Sequence, residues 1–447
     1  MGRMGVEVGD DVRAEGAGRR VLIPLLMVNF INTLGFSIVI PFLIFLVEGY
    51  GGNPFIYGLL GSTYPACQLL GAPVLGRWSD LYGRRRILLL SQFGTALSWC
   101  LFLASFFVPF TMLLAVDSPV AGAFLLTLPL VVLFAARALD GITGGNVSVA
   151  NAYLADITPE RERSRNFGRM SISTNLGFIV GPALAGVLAA GVYGEMAPVL
   201  GALFISVAGL VVILLWLPES GRCAIRKGEG RGGIMRVLGM EPARCNGPAD
   251  LKKTRIRAIL SLRHIPFLML LYFVLFLGFN IYYTSFVVFA AGDLSWTAAE
   301  IGLYFSVLSV LMVIVQGPVL SWASGRWAES TLIVLGCWVL GLNFLLLLTE
   351  HLALIYLAVV FFALGNGLMW PSFLALLSKI AGPVHQGAVQ GAGGSAGGLA
   401  SIVGLISGGL LYGAIGSRTF LIAAAIVFAA GALSFRLVGI GREFEAG

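Results

Sequence analysis

Two charged side chains stand in a long apolar stretch of this sequence, where ionisable groups are rare. They are Arg137 and Asp140, three positions apart. At about 100° per residue, a helix places Gly144, Ser148 and Asn151 within about 40° of the same face. A carboxylate inside a membrane usually faces an aqueous cavity, where it can bind and release a proton. The alternative is a structural i,i+3 ion pair that holds the helix.

A second cluster of charges occupies a short segment between two apolar stretches. It has the frame Gly-x3-Asp-x2-Gly-Arg, which is formed by Gly76, Asp80, Gly83 and Arg84 and followed by Arg85. The glycines permit a tight turn and close helix approach, and the Asp can cap a helix and pair with an Arg. A loop that only places positive charge on one side of a membrane needs the arginines but not this frame.

Small residues recur through a third apolar stretch. They are Gly177, Gly181, Pro182 and Gly186. Small residues at about every fourth position allow two helices to approach closely, and a proline inside a helix removes a backbone donor and bends it. The alternative is a plain packing face.

Polar side chains within other apolar stretches are candidates for lining a solute cavity. Tyr64 and Gln68 are helical i,i+4 neighbours. Tyr283 adds an aromatic surface, which suits a hydrophobic or aromatic substrate. Each of these side chains can instead hydrogen-bond a neighbouring helix. The predicted cavity set is Asn29, Asn32, Tyr64, Gln68, Asn280, Tyr283, Gln316, Asn366 and Trp370.

The elements that must position these residues are membrane-spanning helices. Of the 447 residues, 58% are hydrophobic and only 11% are charged, whereas a soluble domain carries roughly 25% charged residues. A bilayer-spanning helix needs about 20 apolar residues. The segment 109–129 is largely apolar, so hydropathy does not fix the boundary between the third and fourth spans. The sequence predicts an all-α membrane protein with twelve spans near 21–47, 55–76, 87–108, 123–156, 167–190, 198–217, 264–290, 298–320, 330–349, 353–379, 388–413 and 417–437.

Positive charge falls on one side of this predicted topology. All but two of the 29 Lys and Arg lie in the tails or in the loops after even-numbered spans; Arg137 lies inside a span and Arg418 on the other side. The positive-inside rule therefore places both termini in the cytoplasm. The predicted location is the plasma or inner membrane of the cell. Because topology explains the net charge of +7, the basic loop between the sixth and seventh spans requires no nucleic-acid partner.

The chain divides into two related halves. Residues 218–263 have the Gly- and Pro-rich composition of a linker. Residues 72–75 match 317–320 at an offset of 245, and glycines 141 and 365 match at an offset of 224. Parallel six-helix repeats are the architecture of transporters that bind substrate at the midplane between two halves. The predicted organisation is a tail over 1–20, a six-helix bundle over 21–217, the linker, a second bundle over 264–437 and a tail over 438–447.

The charged segment 76–86 resembles the loop signature between the second and third spans of the major facilitator superfamily. Leu81 departs from that signature at a position that is normally basic. In the family this loop is a gate latch between the halves, and the resemblance implies that role for Asp80, Gly83 and Arg84. It also implies that Asp156 is the acidic partner of the loop arginines. The second-half counterpart at 321–327 is degenerate.

Two further signatures extend the resemblance. The Arg-x3-Gly pattern that begins at Arg137 resembles a fourth-span signature of proton-coupled members. The stretch 177–186 resembles the superfamily's antiporter motif, with Ala185 in place of one Gly. The run 150–186 is most similar to the twelve-helix drug:proton antiporters, tetracycline exporters among them. The resemblance covers the whole first half and, more faintly, the second.

One departure changes the expected mechanism. Those antiporters usually carry an Asp in the first span, three residues before a Gly, whereas here Asn32 precedes Gly35. An amide cannot bind and release a proton near pH 7. Our hypothesis is that Asp140 carries the proton and that Arg137 tunes it. The predicted function is proton-driven export of small amphipathic compounds. Asn32 favours an alternative, a facilitator or importer of another organic solute, and a further alternative is a non-transporting sensor or scaffold.

Other chemistries have no signature in this sequence. It contains no Walker loop, no catalytic dyad, no paired-cysteine framework and no metal-ligand cluster. We therefore expect no enzymatic activity, no cofactor and no metal site. We expect a monomer whose partners are a small-molecule substrate, protons and the lipid bilayer.

Overall fold

Six helical spans form the first half of the chain. The computed structural model describes residues 4–144, 146–158, 162–220 and 262–445. Spans 1 and 4 each consist of two successive helices. The bounds are Met4–Ser37 and Leu43–Gly49 (span 1), Pro54–Tyr82 (span 2), Arg84–Ala104 (span 3), Leu128–Thr143 and Asn146–Ile157 (span 4), Arg163–Ala189 (span 5) and Met196–Trp216 (span 6).

Six more spans form the second half. A helix of 64 residues contains both span 10 and span 11; it turns at Gly382, whose φ is 65°. Span 8 includes a π-helical turn with Pro318 inside it. The bounds are Ile265–Gly292 (span 7), Ala298–Ile314 with Val315–Val319 and Leu320–Ser324 (span 8), Glu329–Leu346 (span 9), Leu352–Ile415 (spans 10 and 11) and, after the turn Gly416–Arg418, Thr419–Glu445 (span 12).

Hydropathy supports the crossing of a membrane by these helices. Within the described ranges, nine helical stretches are long and apolar enough to span a bilayer, and one of them covers both span 11 and span 12. Spans 1 and 2 complete the set of twelve. The predicted all-α fold of twelve helices in two bundles is confirmed.

The segment between spans 3 and 4 is a β-hairpin. Strand β1 (Met112–Ser118) pairs antiparallel with β2 (Gly122–Thr127). The predicted start of span 4 at residue 123 is therefore wrong, because span 4 begins at Leu128. A short apolar run is compatible with a strand or a helix, and its periodicity does not separate the two.

The hairpin packs on the loop between spans 1 and 2. The side chain of Asn53 donates a hydrogen bond of 2.7 Å to the carbonyl oxygen of Ala121. The amide of Leu125 donates one of 2.8 Å to the carbonyl oxygen of Gly51. Asn53 also caps span 2, since its Oδ1 accepts from the amide of Ile56. These bonds are between segments far apart in the sequence, and they fix the hairpin as part of the first bundle.

The predicted N-terminal tail and first span differ from the structure, and most of the predicted linker lies outside the described residues. Span 1 is interrupted by turns over 38–42, where Pro41 lacks an amide hydrogen for the helical ladder. Its first helix begins at Met4, inside the predicted tail. Of the predicted linker, residues 221–261 lie outside the described residues, so its role stays a prediction.

Span 7 is the centre of the second bundle. Its Tyr282 is buried, stacks on Phe344 at 4.7 Å and shares a hydrogen bond of 3.1 Å with the hydroxyl of Tyr304. Phe286 stacks on Tyr304 at 4.1 Å. Each such aromatic pair contributes about 0.5–1.5 kcal/mol beyond its buried area. The packing holds spans 7, 8 and 9 together behind the cavity that faces the first half.

Candidate transport site

A cavity of about 610 Å³ lies between the two halves. We call it the central cavity. Of the described residues that line it, Arg137 alone carries a full charge; most of the others are aromatic or aliphatic. The structure places seven of the nine predicted cavity residues here, and they are Tyr64, Gln68, Asn280, Tyr283, Gln316, Asn366 and Trp370.

Aromatic rings form the second-half wall of the central cavity. Tyr272 and Phe276 stack at 5.0 Å, and Trp370 contacts both, at 5.0 Å and 4.9 Å between ring centroids. The sequence analysis did not select Tyr272 or Phe276. Their spacing of four residues with Asn280 places all three on one helix face, and this was the available signal. The wall is suited to a flat, apolar group on a ligand.

The halves touch at the end of the molecule that carries the hairpin, which we call the hairpin end. A Cβ built on Gly58 would lie 2.3 Å from the carbonyl oxygen of Leu405, and one on Gly302 would lie 2.6 Å from that of Pro182. These distances are too short for any side chain. Spans 2 and 11, and spans 5 and 8, therefore meet backbone to backbone and close the central cavity at this end.

The halves separate toward the opposite end, which carries Gly83. A Cβ on Gly398 would lie 3.8 Å from the Leu69 side chain, whereas one on Gly394 or Gly391 would meet nothing within 4 Å. Span 11 thus diverges from span 2 along its length. The central cavity opens toward the Gly83 end.

Arg137 and Asp140 lie at the junction of the central cavity and a second one. The Arg137 Nη1 atom is 3.7 Å from Asp140 Oδ2, and the two residues are 6% and 7% exposed. No described group accepts a hydrogen bond from Arg137 Nε. The hydroxyl-bearing side chains of Thr95 and Ser98, on span 3, lie near the Asp140 carboxylate. The pair is therefore loose, and its arginine keeps a buried Nε donor that no described group accepts.

The second cavity lies inside the first bundle and has a volume of about 210 Å³. We call it the side cavity. Asp140 lines it, as do the two remaining predicted residues, Asn29 and Asn32. Asn29 also joins spans 1 and 5, because its Nδ2 donates to Thr174 Oγ1 at 2.8 Å. Asn29 and Asn32 thus line only the side cavity, whereas Tyr64 and Gln68 line both cavities and the other five predicted residues line only the central one.

The loop between spans 2 and 3 is organised around Arg84. Its Nη1 atom is 2.6 Å from Asp80 Oδ1 and donates to Ser79 Oγ at 2.5 Å, and its Nε donates to Asp156 Oδ2 at 3.1 Å. A guanidinium can satisfy several acceptors at once because its donors point in different directions. The carboxylate of Asp156, at the end of span 4, is thereby joined to the start of span 3.

Gly83 and Arg85 connect this loop to span 6. Gly83 has a φ of 101°, and a Cβ there would lie 2.8 Å from the Glu219 carboxylate, which accepts from the Arg85 amide at 3.0 Å. Arg85 Nη2 donates to the carbonyl oxygen of Leu214 at 2.7 Å, at a helix end that favours positive charge. A Cβ on Gly76 would meet nothing within 4 Å, and packing does not explain that glycine.

The comparisons with known proteins agree with this geometry. The model of the Major Facilitator Superfamily matches residues 25–337 and 268–444. The chain belongs to the major facilitator superfamily. It is 28% identical over 400 residues to the class C tetracycline resistance protein of Escherichia coli, which covers 89% of this chain and 90% of that protein. It is 26% identical over 397 residues to multidrug resistance protein 2 of Bacillus subtilis (strain 168), with 88% and 89% covered.

Solved structures show the same fold. The human organic anion transporter MFSD10 (TETRAN) superposes with a TM-score of 0.64 at 22% identity, over 93% of this chain and 99% of that one. As a member of the superfamily, the chain is a multi-pass membrane transporter that takes a small-molecule substrate, and it is not an enzyme. Among the described residues, no group of three or more His, Cys, Asp or Glu is placed to hold a metal ion.

The glycines of the stretch 177–186, which resembles the antiporter motif, face two different neighbours. A Cβ on Gly181 would lie 1.9 Å from Ser37 Oγ, and one on Gly177 would lie 2.7 Å from Thr33 Cβ, so both pack against span 1. Gly186 faces span 8, where its Cβ would lie 3.1 Å from the carbonyl oxygen of Ala299. The motif therefore holds span 5 against its own bundle and against the other half.

The second half contains an ion pair that the sequence analysis missed. Glu329, at the start of span 9, pairs with Lys379, at the end of span 10. Glu329 follows Arg84 by 245 positions and Lys379 follows Asp156 by 223, which are close to the repeat offsets. The charges are reversed relative to the first half. The second-half loop at 321–327 contains no acidic residue. The carboxylate of this pair, that of Glu329, lies in the next helix instead.

Proposed function

We propose that the chain exports small amphipathic, drug-like compounds across the plasma membrane in exchange for protons. In this proposal it works as a monomer with both termini in the cytoplasm. The central cavity binds the compound while it is open at the Gly83 end. Closure of that end and opening of the hairpin end then release the compound outside.

One observation carries the proton part of the proposal. A carboxylate and a guanidinium are buried together in the middle of span 4, and each faces a different cavity. Charged groups at this depth are costly and usually serve transport. Asp140 is the proton carrier in this proposal. Arg137 is the group that senses the substrate, because its guanidinium lines the central cavity.

The cavity lining and the relatives support a drug-like substrate. The wall of Tyr272, Phe276 and Trp370 offers aromatic surface, and amides at Asn280, Asn366 and Gln316 offer hydrogen bonds. Ligand sites commonly combine an apolar lining with a few polar groups. The relatives described above are named for resistance to tetracycline and to multiple drugs. Tetracycline is therefore the first compound to test.

The loop at Gly83 is, in our proposal, a latch at the cytoplasmic gate. Arg84 joins Asp80 on span 2 to Asp156 on span 4. Gly83 and Arg85 attach the same loop to span 6. The loop therefore makes the cytoplasmic ends of spans 2, 3, 4 and 6 into one unit, and this unit moves as a body when the gate opens and closes.

Exchange in liposomes tests the proposal. Purified protein is reconstituted with a pH dye inside, and tetracycline is added against a proton gradient. We expect substrate-dependent proton movement by the wild type and none by Asp140→Asn. Asp117→Asn, in the hairpin, is the matched control and keeps full exchange. Undiminished exchange by Asp140→Asn would remove that carboxylate from the mechanism.

Two alternatives remain as outcomes of the same assay. Asn32, which replaces the usual first-span acid, favours a facilitator or importer of another organic solute. That alternative predicts solute movement without proton movement. A sensor or scaffold predicts no movement of any solute under any gradient. A resistance profile of a pump-deficient cell that expresses the chain would identify the compounds to use.

A further inference from the structure

A thin wall separates the central cavity from the side cavity. Four residues line both cavities, and they are Phe36, Tyr64, Gln68 and Phe178. The ring of Phe36 lies 4.9 Å from that of Tyr64 and 6.1 Å from that of Phe178. Arg137 lines only the central cavity and Asp140 only the side cavity. The two members of the ion pair are therefore in different compartments.

Span 4 holds this wall in place. Gln68 Nε2 donates to the carbonyl oxygen of Gly144 at 2.9 Å and to the Tyr64 hydroxyl at 3.2 Å. A Cβ on Gly144 would lie 2.6 Å from that hydroxyl, and one on Gly141 would lie 2.5 Å from the Tyr64 carbonyl oxygen. Both glycines thus make room for Tyr64. Close packing of spans 2 and 4 therefore holds Tyr64 and Gln68, the span 2 part of the wall, in place.

The side cavity has the polar groups that ordered water needs. Asn32 Oδ1 is buried and accepts no hydrogen bond from the described residues, although buried acceptors are almost always satisfied by protein or by water. A volume of about 210 Å³ has room for several waters, each of which occupies about 30 Å³ in the liquid. Asn32 and Asp140 both line this volume. Water there would connect the amide oxygen to the carboxylate.

The groups that face Asp140 come from its own helix and three others. Arg137 on span 4 is the charged one, and Tyr64 on span 2 is the titratable one. Span 3 contributes the hydroxyls of Thr95 and Ser98, and span 1 contributes the amide of Asn32.

The side cavity extends from Asp140 toward the Gly83 end. Asn29 on span 1, Val147 on span 4 and Thr174 on span 5 line it. On span 4, which runs from the hairpin end to the Gly83 end, Val147 lies about two turns beyond Asp140 on the Gly83 side. Val147 is 46% exposed. The side cavity therefore reaches past Asp140 toward the end at which the central cavity opens.

We infer that Asp140 exchanges its proton with water in the side cavity, and that the wall keeps the transported compound away from this carboxylate. The inference rests on the proposed function, in which Asp140 is the proton carrier. In the state open at the Gly83 end, a proton passes from the Asp140 carboxyl to water in the side cavity: the carboxyl O–H bond breaks and an O–H bond of hydronium forms. The reverse transfer reloads the carboxylate when the Gly83 end is closed and the hairpin end is open. The substrate acts through Arg137, which touches the central cavity and lies 3.7 Å from Asp140.

Chemical modification of Asp140 tests the path without any substrate or gradient. The full-length protein in detergent is treated with a water-soluble carbodiimide, and modified Asp140 is measured by mass spectrometry; Asp140→Asn removes the signal. Val147→Trp fills the side cavity, and Val147→Ala is its matched control. Met312→Trp fills the central cavity instead. We expect Val147→Trp to slow modification about tenfold, equivalent to about 1.4 kcal/mol of barrier, and the other two to react as the wild type does.

The outcomes of this experiment test the route to Asp140 and do not test the proposed transport function. If Met312→Trp slows modification and Val147→Trp does not, the carboxylate is reached through the central cavity and the inference is wrong. Equal rates in all variants overturn it too. If Val147→Trp does not elute as a folded monodisperse protein, Val147→Phe replaces it. Because the assay contains no substrate, its result is independent of the transport assay, in which Asp140→Asn decides the proposed function.

Discussion

The Nε atom of Arg84 donates a hydrogen bond to Oδ2 of Asp156 over 3.1 Å. The two side chains are 16% and 11% exposed, so that solvent screens the pair only in part. The bond joins the beginning of span 3 to the end of span 4. A second carboxylate, that of Asp80, lies 2.6 Å from the same guanidinium, and the arginine therefore connects three helices.

Replacement of Arg84 should both destabilise the protein and impair transport. Arg84→Ala removes one charged hydrogen bond to the partly buried Asp156 carboxylate, and a hydrogen bond to a charged group contributes about 1.5–3 kcal/mol. We expect the free energy of unfolding to fall by that amount, seen as a lower apparent Tm in detergent, together with a loss of drug export. Arg77→Ala, near the end of span 2, removes an equal charge but neither of these bonds. Equal effects of the two variants would show that only loop charge matters.

The reversed pair Glu329–Lys379 should contribute much less. The Lys379 side chain is 60% exposed, and exposed ion pairs typically contribute about 0.2–1 kcal/mol. We expect Glu329→Gln and Lys379→Gln each to change the free energy of unfolding by less than about 1 kcal/mol. The exchange Glu329→Lys with Lys379→Glu should restore the wild-type value. A single variant as damaging as Arg84→Ala would contradict this account of the pair.

Closure at the hairpin end should depend on the absence of side chains. In Gly302→Val, the new Cβ would lie 2.6 Å from the Pro182 carbonyl oxygen and 2.9 Å from Gly186 Cα. Overpacking costs about 1–3 kcal/mol, and here the cost falls only on the state that is closed at the hairpin end. The equilibrium between that state and the state open at this end therefore shifts about 5- to 150-fold toward the open one. We expect export to fall accordingly. Gly292→Val is the control, since a Cβ there meets nothing within 4 Å. Undiminished export by Gly302→Val would show that the contact of Gly302 with span 5 does not stabilise the state closed at the hairpin end.

The sequence predicted the helices well because hydropathy alone decides which segments enter a bilayer. It failed at 112–127 because the decisive bonds join distant segments, such as Asn53 with Ala121. The polar residues of the spans were also visible in the sequence. Their division between two cavities was not, because it depends on how Tyr64 and Gln68 pack against Gly144 across two helices. Local periodicity assigns a residue to a helix face but does not show what that face meets.

The aromatic wall of the central cavity should set the affinity for aromatic compounds. Trp370 contacts Phe276 at 4.9 Å and Tyr272 at 5.0 Å, and an aromatic contact contributes about 0.5–1.5 kcal/mol beyond area. Under the proposed function, Trp370→Ala should raise the KM for tetracycline transport about 2- to 13-fold by that estimate, with a smaller change in maximal rate. Trp338→Ala is the matched control, because Trp338 packs on Phe428 at 5.1 Å and does not line the cavity. Since the wall holds the ring system of the ligand and carries no proton, Trp370→Ala should leave the number of protons exchanged per drug molecule unchanged. A change in that number would mean that Trp370 acts on the ion pair and not on substrate affinity.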